Sequence, residues 1–296
     1  MRIPCPSGSH GWRPLVLSAV LFFIIGFVTW LNGPLISFVR VAFTLNDLAA
    51  FMVPLVFYFS YFVFSIPASL SVTRTGFKNG LVYALLVMAG GMALTGQCLH
   101  AGSYSGALGG FLVLGAGLAL LQVAINPYVS FLGPDSRSAQ RIAIMGVCNK
   151  VGGIVAPIAL ATLAMRHVAD ISATLPTLTN PDQRLAVRQA FLNTIYWPYM
   201  SMAFFLALTA MWVARSSLPE IRTDICKNND LKKNFIQTLF KSLNSRTRLG
   251  AGAMFFYVGV EGLSGDAVGT YAQGFGIPID QTKFFTSLTL FFMLCG

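Results

Sequence analysis

Apolar residues in this chain occur in long runs separated by short polar connections. A run of about 20 apolar residues is long enough to cross the hydrocarbon core of a bilayer as a helix. Seven such runs predict an all-α membrane protein: Leu15–Phe38, Leu48–Ser71, Leu81–Gly102, Gly106–Leu132, Ile142–Met165, Leu192–Ala214 and Leu249–Ala272. An eighth run begins at Phe284 and is too short to cross, so we expect the chain to be cut inside a helix.

The N-terminal residues also fit the first part of a signal peptide, because a basic start precedes an apolar stretch. The stretch from Arg2 to Leu31 is longer than the about 7–15 apolar residues of a signal sequence, and no small-residue cleavage site follows it. We therefore expect it to stay as the first span.

The composition supports a membrane protein. Of 296 residues, 55% are hydrophobic and 10% are charged, whereas about a quarter are charged in soluble domains. The net charge of +10 would suggest a nucleic-acid partner in a soluble chain. Here the basic residues lie in the connections, and a cytoplasmic N-terminus places most of them on the inner side of the membrane. We therefore expect no nucleic-acid partner.

A polar and basic connection divides the chain into two parts. Residues 215–248 are predicted to form a cytoplasmic linker between a six-helix half, residues 1–214, and the start of a second half, residues 249–296. The alternative is that this basic segment binds anionic lipid head groups. In the outer connection Arg166–Gln189, the residues Asn180-Pro181-Asp182 indicate the start of a short surface helix.

Polar residues and helix breakers interrupt every third span. They occur in the first, fourth and seventh spans, as Asn32-Gly33-Pro34, Gln122 with Asn126-Pro127, and Glu261-Gly262 with Gly265-Asp266. Such groups are tolerated in a membrane where protein or a water-filled cavity surrounds them. A period of three is expected from three-helix repeats whose first helices line a central path.

These interruptions predict a polar substrate path. Asn32, Gln122 and Asn126 would bind the substrate, while Gly33, Pro34 and Pro127 would allow the helices to bend. Pro34 cannot donate a hydrogen bond to the carbonyl of Trp30, one turn earlier. The alternative is a proline kink that serves packing alone.

Two charged residues are predicted near the middle of the membrane. Counted at 1.5 Å per residue, Lys150 lies about 13 Å and Glu261 about 18 Å from the cytoplasmic side. Unpaired charges are strongly disfavoured there, so we expect the two to pair directly or through a polar substrate. A purely structural ion pair is the alternative. Asp266 is expected further along, at the outer interface.

Two aromatic residues and one amide are further candidates. Trp30 and Tyr58 would stack on a sugar ring, with packing against lipid or neighbouring helices as the alternative, and Asn149 lies next to Lys150. The five cysteines are scattered, the three histidines stand far apart, and no metal-ligand spacing or catalytic set occurs. We therefore expect neither an enzyme, nor a metal site, nor a cofactor.

Several segments resemble a known family. PASLSVTRTGFKNG, residues 67–80, resembles the signature loop of the major facilitator superfamily, with Arg74, Gly76 and Lys78 in place and Thr73 where an acid is usual. GLALLQVAINPYVSFLGP, residues 117–134, is similar to helix four of the fucose/galactose/glucose symporter family. FFIIGFVTWLNGPL, RIAIMGVCNKVGGIVAPI and FFYVGVEGLSGDAVGTY fit the same family, nearest its N-acetylglucosamine branch. The resemblance begins at about Leu15.

The resemblance implies a major facilitator type helical bundle. It also implies secondary active import of a hexose or amino sugar across the inner membrane, coupled to protons or another cation. The partners would be a small-molecule sugar and the lipid bilayer. The residues that would bind sugar are Asn32, Gln122, Asn126, Asn149, Trp30 and Tyr58, and the polar coupling cluster would consist of Lys150, Glu261 and Asp266.

The chain departs from the family at two acidic positions. Gly33 and Gln122 stand where the fucose branch has an Asp and a Glu. If coupling persists, Glu261 or Asp266 is the intramembrane acid that remains. The resemblance also implies two six-helix halves, so the alternative function is a truncated fragment that does not transport, or a membrane sensor that binds sugar.

Overall fold

The computed structural model describes residues 12–163, 181–216, 245–282 and 284–295. Every regular element in these residues is a helix, which confirms the predicted all-α architecture. The α-helices are α1 Trp12–Thr29, α2 Asn32–Phe43, α3 Asp47–Ala50, α4 Met52–Thr75, α5 Phe77–His100, α6 Tyr104–Phe131, α7 Ser138–Leu163, α8 Pro181–Arg215, α9 Ser245–Asp266, α10 Val268–Gly274, α11 Ile279–Thr282 and α12 Phe285–Cys295, with a 3₁₀ turn at Asp135–Arg137.

Six stretches of the described chain are long and apolar enough to cross a membrane. They correspond to the first six predicted spans: Pro14–Phe43, Asp47–Thr75, Phe77–His100, Tyr104–Ser130, Ser138–Thr162 and Leu185–Arg215. The seventh predicted span forms α9 and α10, which are separated at Ala267, and the eighth forms α12.

The first six spans pack into one bundle. Helix α5 packs against α6 and α8, α4 packs against α6, and α1 packs against α7. Aromatic side chains fill the interior, and the rings of Phe38 and Phe191 stack with centroids 4.4 Å apart. Many large apolar side chains stay exposed on the outside, including Phe62 and Phe204. A lipid environment accommodates such a surface, whereas water does not.

Helices α1 and α7 approach each other closely because both carry glycine at their contact. A Cβ atom on Gly26 would overlap the backbone of Asn149, and a Cβ atom on Gly152 would overlap the backbone of Phe23. Small residues allow this approach in membrane helices. Helix α12 packs on the same helix α7.

The first span breaks at the two residues directly before the predicted interruption Asn32-Gly33-Pro34. Helix α1 ends at Thr29 and α2 begins at Asn32, so the break lies at Trp30 and Leu31. Pro34 is the third residue of α2, where a backbone N–H has no partner inside the helix. Its missing N–H therefore costs little there. The hydroxyl of Thr29 donates to the carbonyl of Ile25 at 2.8 Å, a bond that often bends helices.

The sixth span is longer than predicted. Helix α8 runs without interruption from Pro181 to Arg215, so the start signal at Asn180-Pro181-Asp182 is correct but the expected separate surface helix is wrong. Proline suits the first turn of a helix, which explains the boundary. Residues 164–180 lie outside the described residues, as do residues 217–244 of the predicted linker.

Helix α6 continues through Pro127 to Phe131, so the bend that this proline was expected to allow stays a prediction.

The connection between α4 and α5 consists of Gly76 alone. Its φ of 84° lies in the left-handed region, which favours glycine. Arg74 is exposed, and the Lys78 ammonium donates to the carbonyl of Ser216 at 2.6 Å. The signature loop therefore contacts the end of α8.

Arg141 closes the end of α6. It is 8% exposed, and its guanidinium donates to four carbonyls: Val129, Ser130, Gly133 and Pro134. The last carbonyls of a helix lack partners within the helix. Arg141 supplies bonds to the carbonyls of Ser130 and Gly133, and it adds a second bond to those of Val129 and Pro134, which also accept from the N–H groups of Leu132 and Arg137.

We expect Arg141→Lys to destabilise the protein because one ammonium cannot reach four carbonyls in a fixed planar arrangement. The loss should be at least about 1.5–3 kcal/mol, the range for a hydrogen bond to a charged group. Thermal unfolding in detergent measures it. The matched control is Arg137→Lys, since Arg137 is exposed; equal midpoints for the two variants would contradict this role of Arg141.

Candidate functional site

The break between α1 and α2 places Trp30 in the interior. The indole is 4% exposed and lies between α7 and α9. A Cβ atom on either Gly153 or Gly265 would overlap its ring. These two glycines therefore create the space for the indole. Because Trp30 is buried, the predicted stacking of a sugar on its ring requires a different conformation and stays a prediction.

An ion pair lies beside this indole. The Lys150 ammonium of α7 bonds to the Glu261 carboxylate of α9, and their side chains are 16% and 19% exposed. The same ammonium lies 5.2 Å from the centroid of the Trp30 ring and 3.9 Å from the Met293 sulfur of α12. The sequence predicted a direct pair or a pair bridged by substrate, and the structure shows direct contact.

A second contact joins α4 to the end of α9. The Tyr58 hydroxyl donates to Asp266 Oδ2 at 2.9 Å, and Asp266 is 4% exposed. Asp266 is thus buried against α4, and its predicted depth at the outer interface stays a prediction. Counting residues along a straight helix gives depth alone and does not show the rotation that turns this side chain toward α4.

Gly33 makes room for this contact. A Cβ atom at Gly33 would lie 2.7 Å from the Thr286 hydroxyl and 3.5 Å from the Asp266 Cα atom. The Thr286 hydroxyl in turn donates to the carbonyl of Gly265 at 2.8 Å. A larger residue at position 33 would push α9 and α12 away from α2.

Gln122 of α6 contacts the same face of α4. The Tyr61 hydroxyl donates to Gln122 Oε1 at 2.7 Å, and Tyr61 follows Tyr58 by three residues, so the two phenols share one side of the helix. Gln122 thus connects α6 to the side of α4 that carries Tyr58 and Tyr61. We call Asn32, Tyr58, Tyr61, Gln122, Lys150, Glu261 and Asp266 the polar cluster.

Two buried atoms of the polar cluster have no hydrogen-bond partner among the described residues. They are Asn32 Nδ2, a donor, and Asp266 Oδ1, an acceptor. The Asn32 amide lies against the Tyr58 hydroxyl without reaching hydrogen-bond geometry. Buried polar atoms are nearly always paired, so an unpaired donor and acceptor indicate a site that a polar ligand or water completes.

Two predicted binding residues lie outside the polar cluster, and their binding role stays a prediction. Asn149 Nδ2 donates to the carbonyl of Phe22 at 3.3 Å and so connects α7 to α1. Asn126 is exposed, and it does not share the contacts of Gln122 one turn away. The prediction placed both on the path because helical spacing alone does not tell which face meets a neighbouring helix.

Gln273, which was not among the predicted site residues, connects α2 with α10 and α11. Its Nε2 donates to the hydroxyls of Ser37 and Thr282, both at 3.1 Å, and its Oε1 accepts from Arg40 at 3.4 Å. Arg40 also pairs with Asp47 at 3.1 Å. A glutamine close to the end of a predicted span gives no distinctive signal.

Metal chemistry has no support in the part of the chain that the structure describes. No group of three or more His, Cys, Asp or Glu side chains is close enough there to hold a metal ion. Cys98, Cys148 and Cys295 are free thiols, while Cys5 and Cys226 lie outside the described residues.

No protein-family model matches the chain. It is 29% identical over 250 residues to the L-fucose-proton symporter of Escherichia coli (strain K12), covering 84% of this chain and 57% of the symporter. It is 32% identical over 242 residues to a glucose/galactose transporter of Brucella abortus biovar 1 (strain 9-941), covering 82% and 54%. The chain thus spans about half the length of these curated relatives.

The fold is similar to that of a solved transporter. The crystal structure of the major facilitator superfamily transporter FucP in the outward conformation matches with a TM-score of 0.79 at 26% sequence identity. The match covers 95% of this chain and 68% of that chain. The described helices therefore form a partial bundle of the major facilitator type, with α9 and α12 beside the first six spans.

Proposed function

We propose that this chain serves as a secondary active sugar transporter. The premise is that it is a relative of the fucose/galactose/glucose symporter family of the major facilitator superfamily. The substrate is a hexose or an amino sugar, imported across the inner membrane together with a proton or another cation. The N-terminus lies in the cytoplasm, the bilayer surrounds the bundle, and the protein is not an enzyme.

The observation that carries this proposal is the polar cluster inside an apolar bundle. Hydroxyls, amides and one ion pair converge there from α2, α4, α6, α7 and α9. Sugars need several hydrogen bonds and little charge, which suits Tyr61 with Gln122 and the unpaired donor of Asn32. The named relatives, an L-fucose-proton symporter and a glucose/galactose transporter, support the same substrate class.

The basic residues support the proposed orientation. Arg74 and Lys78 flank the connection between α4 and α5, Arg137 and Arg141 lie in and just after the connection between α6 and α7, and the basic segment 215–248 begins at the end of α8. These connections share one side of the membrane, because two spans separate each from the next. Positive charge is retained on the cytoplasmic side.

Transport is tested by uptake of radiolabelled N-acetylglucosamine, glucose, galactose and fucose. Transporter-deficient cells expressing the 296-residue chain are measured with and without a protonophore. We expect one sugar to accumulate and the accumulation to collapse with the protonophore, since the gradient would supply the energy. Saturable sugar binding without accumulation, with the protein in the membrane, would instead favour the sugar-binding sensor.

The sugar site is tested by Gln122→Ala. Losing the hydrogen bonds of one neutral amide should weaken sugar binding about 2- to 10-fold. Equilibrium binding of the labelled sugars to the purified protein measures this. Gln97→Ala is the matched control, because Gln97 is exposed on α5 and bonds to Tyr196. Unchanged affinity in Gln122→Ala would count against the site.

A further inference from the structure

The structure distinguishes between the two acids of α9. We propose that Asp266 takes up and releases the coupling proton, while Glu261 serves as the ionic partner of Lys150. This inference rests on the proposed function, because coupling has meaning only for a transporter. It assigns the coupling group to a residue whose carboxylate joins α9 to α4.

Glu261 is a poor proton carrier because its charge is compensated. Lys150 bonds to it, so the pair carries no net charge in the membrane interior. Protonating Glu261 would leave the Lys150 ammonium without an ionic partner beside the Trp30 ring. Leaving one member of a buried pair unpaired is strongly unfavourable.

Asp266 has no such compensation among the described residues. The groups next to it are neutral: the Tyr58 hydroxyl of α4 bonds to its Oδ2, and Gly33 of α2 lies against its Cα atom. The Thr286 hydroxyl of α12 bonds to the neighbouring carbonyl of Gly265. An isolated buried carboxylate is costly to keep charged, so such a group accepts a proton readily.

The other charged or titratable groups on the neighbouring helices have partners or lie away from the carboxylate. Arg40 of α2 bonds to Asp47 and Gln273, Lys150 of α7 bonds to Glu261, and Tyr61 of α4 bonds to Gln122. On α10, Tyr271 is 70% exposed. On α9 itself, Glu261 lies five residues before Asp266, a rise of about 7.5 Å.

The position of Asp266 links its protonation to the packing of the helices. As a carboxylate it accepts a charge-assisted hydrogen bond from Tyr58, which is roughly twice as strong as a neutral one. Uptake of one proton converts the carboxylate to a neutral carboxyl group, while Tyr58 keeps its own proton. The contact between α4 and α9 weakens as a result, and release of the proton restores it.

Infrared difference spectroscopy tests this without sugar and without transport. The purified chain in lipid vesicles is titrated with acid in heavy water, and the carbonyl stretch of protonated carboxyl groups is followed. In the unmodified protein we expect a band from a buried protonated carboxyl. Asp266→Asn should lose it, and Glu261→Gln should retain it.

A third variant protects the test against a folding failure of Asp266→Asn. Tyr58→Phe removes only the hydroxyl that bonds to Asp266, so the band should persist and shift in frequency. The inference is overturned if the unmodified protein shows no such band, if Glu261→Gln loses it, or if Tyr58→Phe leaves its frequency unchanged. Absence of sugar uptake in the transport assay would contradict the proposed function and leave these spectra unaffected.

Discussion

The cost of placing charge inside a membrane governs the arrangement of this bundle. Lys150 and Glu261 are 111 residues apart in sequence, and each compensates the charge of the other. The pair can form only if α9 lies beside α7, and α12 follows, since Met293 contacts the same ammonium. The Lys150–Glu261 ion pair thus fixes the position of α9 against the first six spans.

Glycine makes that constraint compatible with close packing. Gly153 and Gly265 leave space for Trp30, and Gly33 leaves space for Asp266 and Thr286. The indole in turn covers the ion pair and limits its hydration. An acid at position 266 therefore fits glycine at position 33. Asp266 of α9 is buried where α2 has no side chain at Gly33.

The fold was largely predictable from hydrophobicity, because runs of about 20 apolar residues have few alternatives to spanning a bilayer. Counting depth also predicted the Lys150–Glu261 pair, since both helices were taken to start from one side. It did not predict that Asp266 bonds to Tyr58 of α4, because depth carries no information on helix rotation. The same limit explains why Asn149 bonds to α1 and why Tyr61 and Gln273 were missed.

Charge reversal is the most direct test of the account. Lys150→Glu and Glu261→Lys are made singly and together, and thermal unfolding is measured in detergent. Each single change places like charges together and should cost at least about 3–5 kcal/mol, as for breaking a buried pair. The double variant restores opposite charges and should recover most of that loss. If the double variant loses as much unfolding free energy as the two single variants together, the central role of this pair is contradicted.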